Sequence, residues 1–308
     1  MIVYALKRIG AMLIAMCVLI TVTFFLMHAI PGGPFSQGEQ RNTPPQVLEA
    51  IRAKYGLDQP VATQYIQYVS RLIRGDLGDS FKKLNYTVNE LIASGFPVSA
   101  KVGALAFVVS LAVGIPLGVI SALKRGRWMD MVSMIIATIG ISVPTFLLAM
   151  LMLYFFAMKL KVLPVFGYGN WQQLVIPVTC LALPPIAYIT RLMRSSMLEV
   201  QRQDYIRTAR SKGVSEFMVI SKHAMRNSVL PVVTYLGPLV AALFTGSFAV
   251  ERLFMIPGIG RYFVVAVSDR DYSVILGITI FYGAFIMVCT LIVDIAYAFI
   301  DPRVKFHH

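Results

Sequence analysis

Charge is scarce in this chain. Only 14% of its 308 residues are Asp, Glu, Lys or Arg, against about a quarter in an ordinary soluble domain. Cysteine is scarcer still. Cys17, Cys180 and Cys289 stand singly inside apolar runs, with neither metal spacing nor a disulfide framework. They read as small buried hydrophobes. Missing altogether are G-x-x-x-x-G-K-S/T, H-E-x-x-H and G-x-S-x-G, the signatures of nucleotide, zinc-peptidase and serine-hydrolase chemistry. Acidic residues number 15 against 28 basic ones, a net charge of +13. Such an excess often marks nucleic-acid binding. Here the basic residues sit in segments between apolar runs, which fits loops facing an anionic membrane surface and no nucleic acid. What is abundant is apolar: 57% of the residues, with a mean hydropathy of +0.71. That excludes a disordered, collagenous or disulfide-stapled chain and a typical soluble enzyme.

A membrane-crossing helix needs about 20 apolar residues. Six runs qualify: Ile9–Ile30, Val102–Leu123, Met131–Met158, Leu174–Thr190 (extended by Gln172 and Gln173), Val229–Val250, and Ser273–Ile300 with the single charge Asp294. Each must be helical, because lipid offers the backbone no other partner. Lys7 and Arg8 precede the first run as in a signal peptide. The run is long for one, however, and no small-x-small site precedes Pro31, so it reads as a retained span. With both termini inside, the inner segments hold 15 basic residues against 5 acidic, and the much longer outer segments 12 against 9. This bias orients both termini to the cytoplasm. Pro116, Pro144, Pro177, Pro184, Pro185, Pro231 and Pro238 fall inside the runs. They kink helices along a path, or reflect the general frequency of proline in membrane helices.

Residues 31–98 are patterned as a small helical subdomain. Thr43-Pro44 opens a helix with Val47, Leu48, Ile51 and Tyr55 on one face. Asp58 and Pro60 open a second, with the stripe Val61, Tyr65, Tyr68, Val69 and Leu72. Thr87 and Glu90 have capping-box spacing for a third. The subdomain either packs on the membrane surface or docks an external partner. Only one inner segment is large, residues 191–228. It reads as a helix over Met197–Lys212, a stop at Gly213 and a second helix capped by Ser215 that carries Phe217, Met218 and Ile220. By physics alone it is either a solvated basic loop against headgroups or a shape that inserts into a soluble partner.

The string Asp204-Tyr205-Ile206-Arg207-Thr208-Ala209-Arg210-Ser211-Lys212-Gly213, then His223-Ala224-Met225-Arg226-Asn227 and Leu230-Pro231, resembles the cytoplasmic motif of binding-protein-dependent ABC importer permeases. Arg207-Thr208-Ala209 stands where the general motif has Glu-Ala-Ala, a departure shared by the peptide and nickel branch. The resemblance covers the whole chain. It includes Tyr55-Gly56-Leu57-Asp58-Gln59-Pro60, Gly75-Asp76-Leu77-Gly78, Phe96-Pro97-Val98-Ser99-Ala100-Lys101, Thr245-Gly246-Ser247 with Glu251, Ile256-Pro257-Gly258-Ile259-Gly260, Arg270-Asp271-Tyr272 and Asp301-Pro302-Arg303. In type it is similar to the first permease subunit of oligopeptide importers.

The resemblance implies an all-α integral membrane protein with the type I ABC importer permease fold. Its parts would be residues 1–30, the outer subdomain 31–98 and a core 99–308. It further implies a peptide-import permease that does no bond chemistry and holds no cofactor or metal, with ATP and magnesium on two cytoplasmic ATPase partners. A homologous second permease would complete the path, and an extracytoplasmic binding protein would deliver the peptide. Tyr205, Ile206, Arg207, Thr208, Ala209, Arg210, Ser211, Lys212 and Gly213 would be the coupling element, with Arg207, Arg210 and Lys212 meeting acidic groups and Ile206 and Ala209 entering an apolar slot. Ser142, Pro144 and Thr145, and Thr245, Gly246 and Ser247, are small or polar in apolar runs; they line the path or pack helices. Tyr68, Pro257, Gly258, Gly260 and Arg261 are candidates for meeting the binding protein, with Ile256–Gly260 as a loop or re-entrant element. Dipeptide and nickel permeases remain alternatives. A secondary transporter is the alternative from another class, although Asp294 is the only charge deep in a span and reads as a structural pair. His28 reads as a lone interfacial residue.

Overall fold

The structure, a computed structural model, describes residues 2–30, 44, 46, 49, 52–53, 55–83 and 85–300. The helix expected from Thr43 through Val47, Leu48 and Ile51, the pairing of the Asp294 side chain, and Asp301-Pro302-Arg303 lie outside the described residues. Among those described, every extended element is a helix, and the only β pairing is an isolated bridge between Asp79 and Thr87.

In chain order the helices begin with α1 (Ile2–Ala29), α2 (Val61–Ile73), α3 (Val88–Leu123), α4 (Trp128–Ser142) and α5 (Thr145–Met152), the last continuing as a π turn, Leu153–Lys159. Then come α6 (Trp171–Val200), α7 (Asp204–Ser211), α8 (Glu216–Met218), a π turn Val219–Ala224, and α9 (Met225–Ser228). The chain closes with α10 (Leu230–Phe244), α11 (Phe248–Leu253), α12 (Ile259–Asp269) and α13 (Tyr272–Ile300). Among the described residues five helical segments are long and apolar enough to cross a membrane, one of them α10 and α11 taken together (Leu230–Leu253); a sixth crossing requires counting α4 with Thr145–Lys159. Those two are bent by 109°, so the run Met131–Met158 is not the continuous helix its composition suggests. The break has a local cause. Pro144 has no N–H to give and crowds the residue before it, and Val143 is accordingly extended at φ −87°, ψ 124°.

Two compact units divide the chain: Met1–Val98 with Pro257–Met287, and Ser99–Ile256 with Val288–His308. In the first unit, α2 buries Tyr68 and half-buries Tyr65, Val69 and Leu72, which pack on Ile20, Phe24, Leu276 and Ile280. Val61, placed on the same stripe by spacing, is exposed. The capping box is real: Thr87 N–H donates to Glu90 Oε2 at 3.0 Å and Glu90 N–H to Thr87 Oγ1 at 3.2 Å. The helix it opens is no separate outer element, however. It runs unbroken for 36 residues into the second apolar run, about 54 Å at 1.5 Å per residue, well beyond the roughly 30 Å hydrocarbon core.

In the second unit α6 is central. Two-thirds of its apolar window (67%) is buried, against 11% for α1. It packs on α4, α5, α9, α10 and α11. Small residues of α3 at four-residue spacing, Ala106, Ser110, Gly114 and Gly118, form a buried stripe. There Ser110 Oγ donates to Ala182 O and Thr190 Oγ1 to Gly114 O, both at 3.3 Å. Close approach of this kind replaces the hydrophobic drive that lipid cannot supply. By contrast α1 turns Leu13, Ile14, Val18 and Val22 outward, as a lipid-facing helix does. Cys17 is exposed on it too; only Cys180 and Cys289 are buried as expected.

Candidate functional site

The large inner segment is shorter than its sequence pattern suggests, because α6 continues through Met197 to Val200 and absorbs the start of the expected helix. After the turn Gln201-Arg202-Gln203 only Asp204–Ser211 is a separate helix. Its end is a complete Schellman closure. Gly213 N–H donates to Arg210 O at 3.0 Å and Val214 N–H to Ala209 O at 3.3 Å, with Gly213 at φ +73°. Glycine is required there because an L side chain is strained at that φ. Ser215 occupies the next N-cap position, yet its side chain makes no cap hydrogen bond.

The structure divides the nine expected coupling residues into two sets. Ile206 and Ala209 are buried, 0% and 8% exposed. They face the chain itself, where α7 packs on the π turn Val219–Ala224. The expectation that they enter a partner's slot is therefore corrected: residues three apart on one face anchor the helix. Tyr205, Arg207, Thr208, Arg210, Ser211, Lys212 and Gly213 are exposed. Arg210 is already engaged, since Nε and Nη2 bind Glu216 Oε2 and Oε1 at 3.1 and 2.7 Å. Those hydrogen bonds hold the Glu216 carboxyl below its ordinary range. Asn227 Nδ2 donates to the Tyr205 hydroxyl at 2.7 Å, so the second half of the motif fixes the first. Sequence reasoning passed over Phe217 as one more residue of the following helix, yet it is 80% exposed beside Met218, which is also exposed. A large apolar residue left bare at the start of a short helix was not distinguishable by spacing from one packed inward.

Asp130 was also missed. It is 5% exposed and receives Arg194 Nε and Nη2 at 2.7 and 2.8 Å, Ser121 Oγ at 2.5 Å and Gly126 N–H at 2.9 Å. This ties the start of α4 to the late part of α6. Asp130 and Arg194 stand 64 residues apart in the sequence, a separation that carries no local signal of pairing.

The six candidates for the path are dispersed. Ser142 and Pro144 are exposed and Thr145 is half-buried at the α4–α5 bend. Thr245 is buried, with its hydroxyl donating to Ala241 O at 2.9 Å. Ser247 Oγ caps α11 by accepting from Val250 N–H at 3.4 Å. Gly246, at φ +83°, lies against the buried Glu251, and a Cβ there would collide with the carboxylate that Ser99 Oγ binds at 2.7 Å. Thr245-Gly246-Ser247 is thus a packed joint between α10 and α11, not an open wall.

Of the residues expected to meet a binding protein, Tyr68, Gly258 and Gly260 are buried. Pro257 is exposed and Arg261 is partly so. The breakers in Ile256–Gly260 do interrupt the helix, but α12 resumes at Ile259 with Gly258 as its N-cap. Next to it Asp271, 3% exposed, accepts from Ser80 Oγ and from the N–H groups of Phe81, Lys82 and Val274 at 3.1, 3.3 and 3.4 Å. It pins the 80–83 turn to the start of α13. His28 is not alone: Nε2 lies 3.2 Å from Gln64 Oε1, Nδ1 2.9 Å from Phe24 O, and its ring stacks on Phe24.

Residues 114–306 match the family described as binding-protein-dependent transport system inner membrane component, and residues 1–102 match the family of its N-terminal part. The chain is 46% identical over 304 residues to the dipeptide transport system permease protein of Bacillus subtilis, covering 99% of this chain and 98% of the relative. It is 42% identical over 308 residues to the oligopeptide transport system permease protein of Salmonella typhimurium, covering 99% and 100%. A methionine ABC transporter solved in inward-facing conformations shares the fold at a TM-score of 0.54 and 15% identity, over 68% of this chain and 96% of that one.

Proposed function

The chain belongs to the family of binding-protein-dependent transport system inner membrane components, and from that premise we propose that it is one permease subunit of an ATP-driven peptide importer. It is a multi-pass membrane protein of mostly helical, type I importer architecture. In this reading the subunit performs no bond chemistry and binds no cofactor. Two cytoplasmic ATPases hold ATP and magnesium, a homologous second permease supplies the other half of the path, and an extracytoplasmic binding protein delivers the peptide. Both termini face the cytoplasm, as the basic bias of the inner segments favours.

One observation carries the coupling role. The helix Asp204–Ser211 is short, closed by Gly213 and anchored on the chain's own core through Ile206 and Ala209, while Tyr205, Arg207, Thr208 and Lys212 stay outward. A rigid knob fastened to the core transmits displacement, whereas a free basic loop would absorb it. Arg207, whose side chain is 72% exposed and only loosely paired with Asp204 at 3.7 Å, and Lys212 are the charges open to an ATPase. Exposed Phe217 adds an apolar contact that the buried pair cannot. On the outer side, Pro257 and the partly exposed Arg261 remain for the binding protein, and Ser142 and Pro144 remain for the path.

The test is reconstitution with the partner subunits and uptake of labelled peptides of increasing length. Uptake should require both ATP and the binding protein, and Gly213→Val should abolish it while normal amounts of protein reach the membrane. Uptake driven by an ion gradient without ATP would instead establish the secondary-transporter reading. The length series separates dipeptide from oligopeptide use, since relatives of both kinds match the whole chain.

A further inference from the structure

The first unit contains a recess of about 570 Å³, including its open mouth, walled by the outer part of α1, by α2, by the 78–81 turn and by the start of α13. Its wall is more polar than packing requires. Arg71 and Asp79 both line it, and neither forms an ion pair with any described residue. Both are exposed, so holding them at one recess is not forced by burial. Gly78 lies close by: a Cβ there would sit 4.0 Å from Arg71 Nη1 and 3.9 Å from Ser273 Oγ, in ordinary contact with both.

Two further wall residues, Tyr68 and Tyr272, are 6% and 5% exposed, and each hydroxyl is buried with no hydrogen-bond partner among the described residues. Buried unpaired hydroxyls are rare in native proteins and usually mark a missing water or ligand. Around them stand aromatic rings: Tyr55 lies edge-on to Phe81 at 4.7 Å, and Phe24 lies 5.9 Å from Tyr68. A cation, an anion, unspent hydroxyls and ring faces in one recess match a molecule with both charges and an apolar side chain.

We propose that this recess binds a small zwitterion, a free amino acid or a dipeptide, with its carboxylate toward Arg71, its ammonium toward Asp79 and its side chain among the rings. The site is separate from the coupling helix and does not rest on the transport reading, because binding to it is an equilibrium property of the chain without ATP or partners.

The experiment uses the full-length chain in lipid nanodiscs and titrates L-phenylalanine and phenylalanyl-glycine against phenethylamine, which lacks the carboxylate, and 3-phenylpropionate, which lacks the ammonium. At least one zwitterion should bind saturably and tenfold or more tighter than either single-ended analogue; which of the two binds better identifies the source. Arg71→Gln should erase the advantage over phenethylamine, and Asp79→Asn the advantage over 3-phenylpropionate. Tyr68→Phe should weaken binding severalfold without lowering the melting temperature of the unliganded chain, since the hydroxyl it removes has no partner there. Absence of saturable zwitterion binding, equal binding of the analogues, or an unchanged affinity in either charge variant would overturn the proposal and leave the recess as a water site. None of those outcomes bears on ATP-dependent uptake.

Discussion

Asp130 and Asp271 are both nearly sealed from solvent, yet they are held in opposite ways. Asp130 has a cation: Arg194 grips both oxygens, and Ser121 and Gly126 complete the set. Asp271 has none among the described residues. Its charge is met by a serine hydroxyl and three backbone N–H groups at the mouth of α13. The first arrangement is a pair, and either half alone is a liability, because a buried charge without its partner costs far more than the pair contributes. The second is a nest in which dipoles share the work and no single donor is indispensable. A third, exposed carboxylate, Glu216, shows what the same bidentate geometry yields in water. The pair with Arg210 is as short as that with Arg194, but its side chains are 55% and 40% exposed, and screening leaves little.

The sharpest way to break this contrast is Asp130→Ala. It strands Arg194, so thermal or denaturant unfolding in detergent should show a loss of about 3 kcal/mol, at the low end for broken buried pairs because Arg194 is 24% exposed. Converting both partners together, Asp130→Leu with Arg194→Met, should recover most of that. A double variant as weak as the single one would mean the pair is not the unit. Asp271→Asn comes next, at about 1–2 kcal/mol, since the amide keeps one acceptor and turns a donor toward the N–H groups. Hydrogen exchange at Phe81 and Lys82 should quicken, and unchanged protection would show that the turn is held by something else. Smaller again is Gly213→Ala. No atom lies within 4 Å of the new Cβ, so only the positive φ is charged, about 1 kcal/mol. Helix loss confined to α7 should follow, and a larger global loss would reveal a contact not present here. Arg210→Ala should cost least, under about 0.5 kcal/mol. Because Glu216 titrates below its ordinary range, the pair's contribution is complete above that range and is lost as pH falls through the lowered value. Acidification should therefore change the wild-type loop slightly and the Arg210→Ala loop not at all.

Composition and spacing alone determined that the chain is a helical membrane protein, where its apolar runs lie, that Thr87 and Glu90 form a capping box and that a helix stops at Gly213. Each follows from chemistry within a few residues: a backbone that must satisfy itself in lipid, a hydroxyl three residues from a carboxylate, a position that only glycine occupies without strain. The tertiary structure decided what depends on partners far along the chain. Ile206 and Tyr68 carried the right side chains for contact surfaces and turned out to be anchors, because burial is settled by what packs against a face and not by the face itself. Pro144 announced a break, but not that the two halves would differ in direction by 109° or that α4 and α5 would both pack on α6. Asp130 and Asp271 read as loop charges until residues 64 and about 190 positions away supplied their donors, and the recess between α1, α2 and α13 has no linear signature at all.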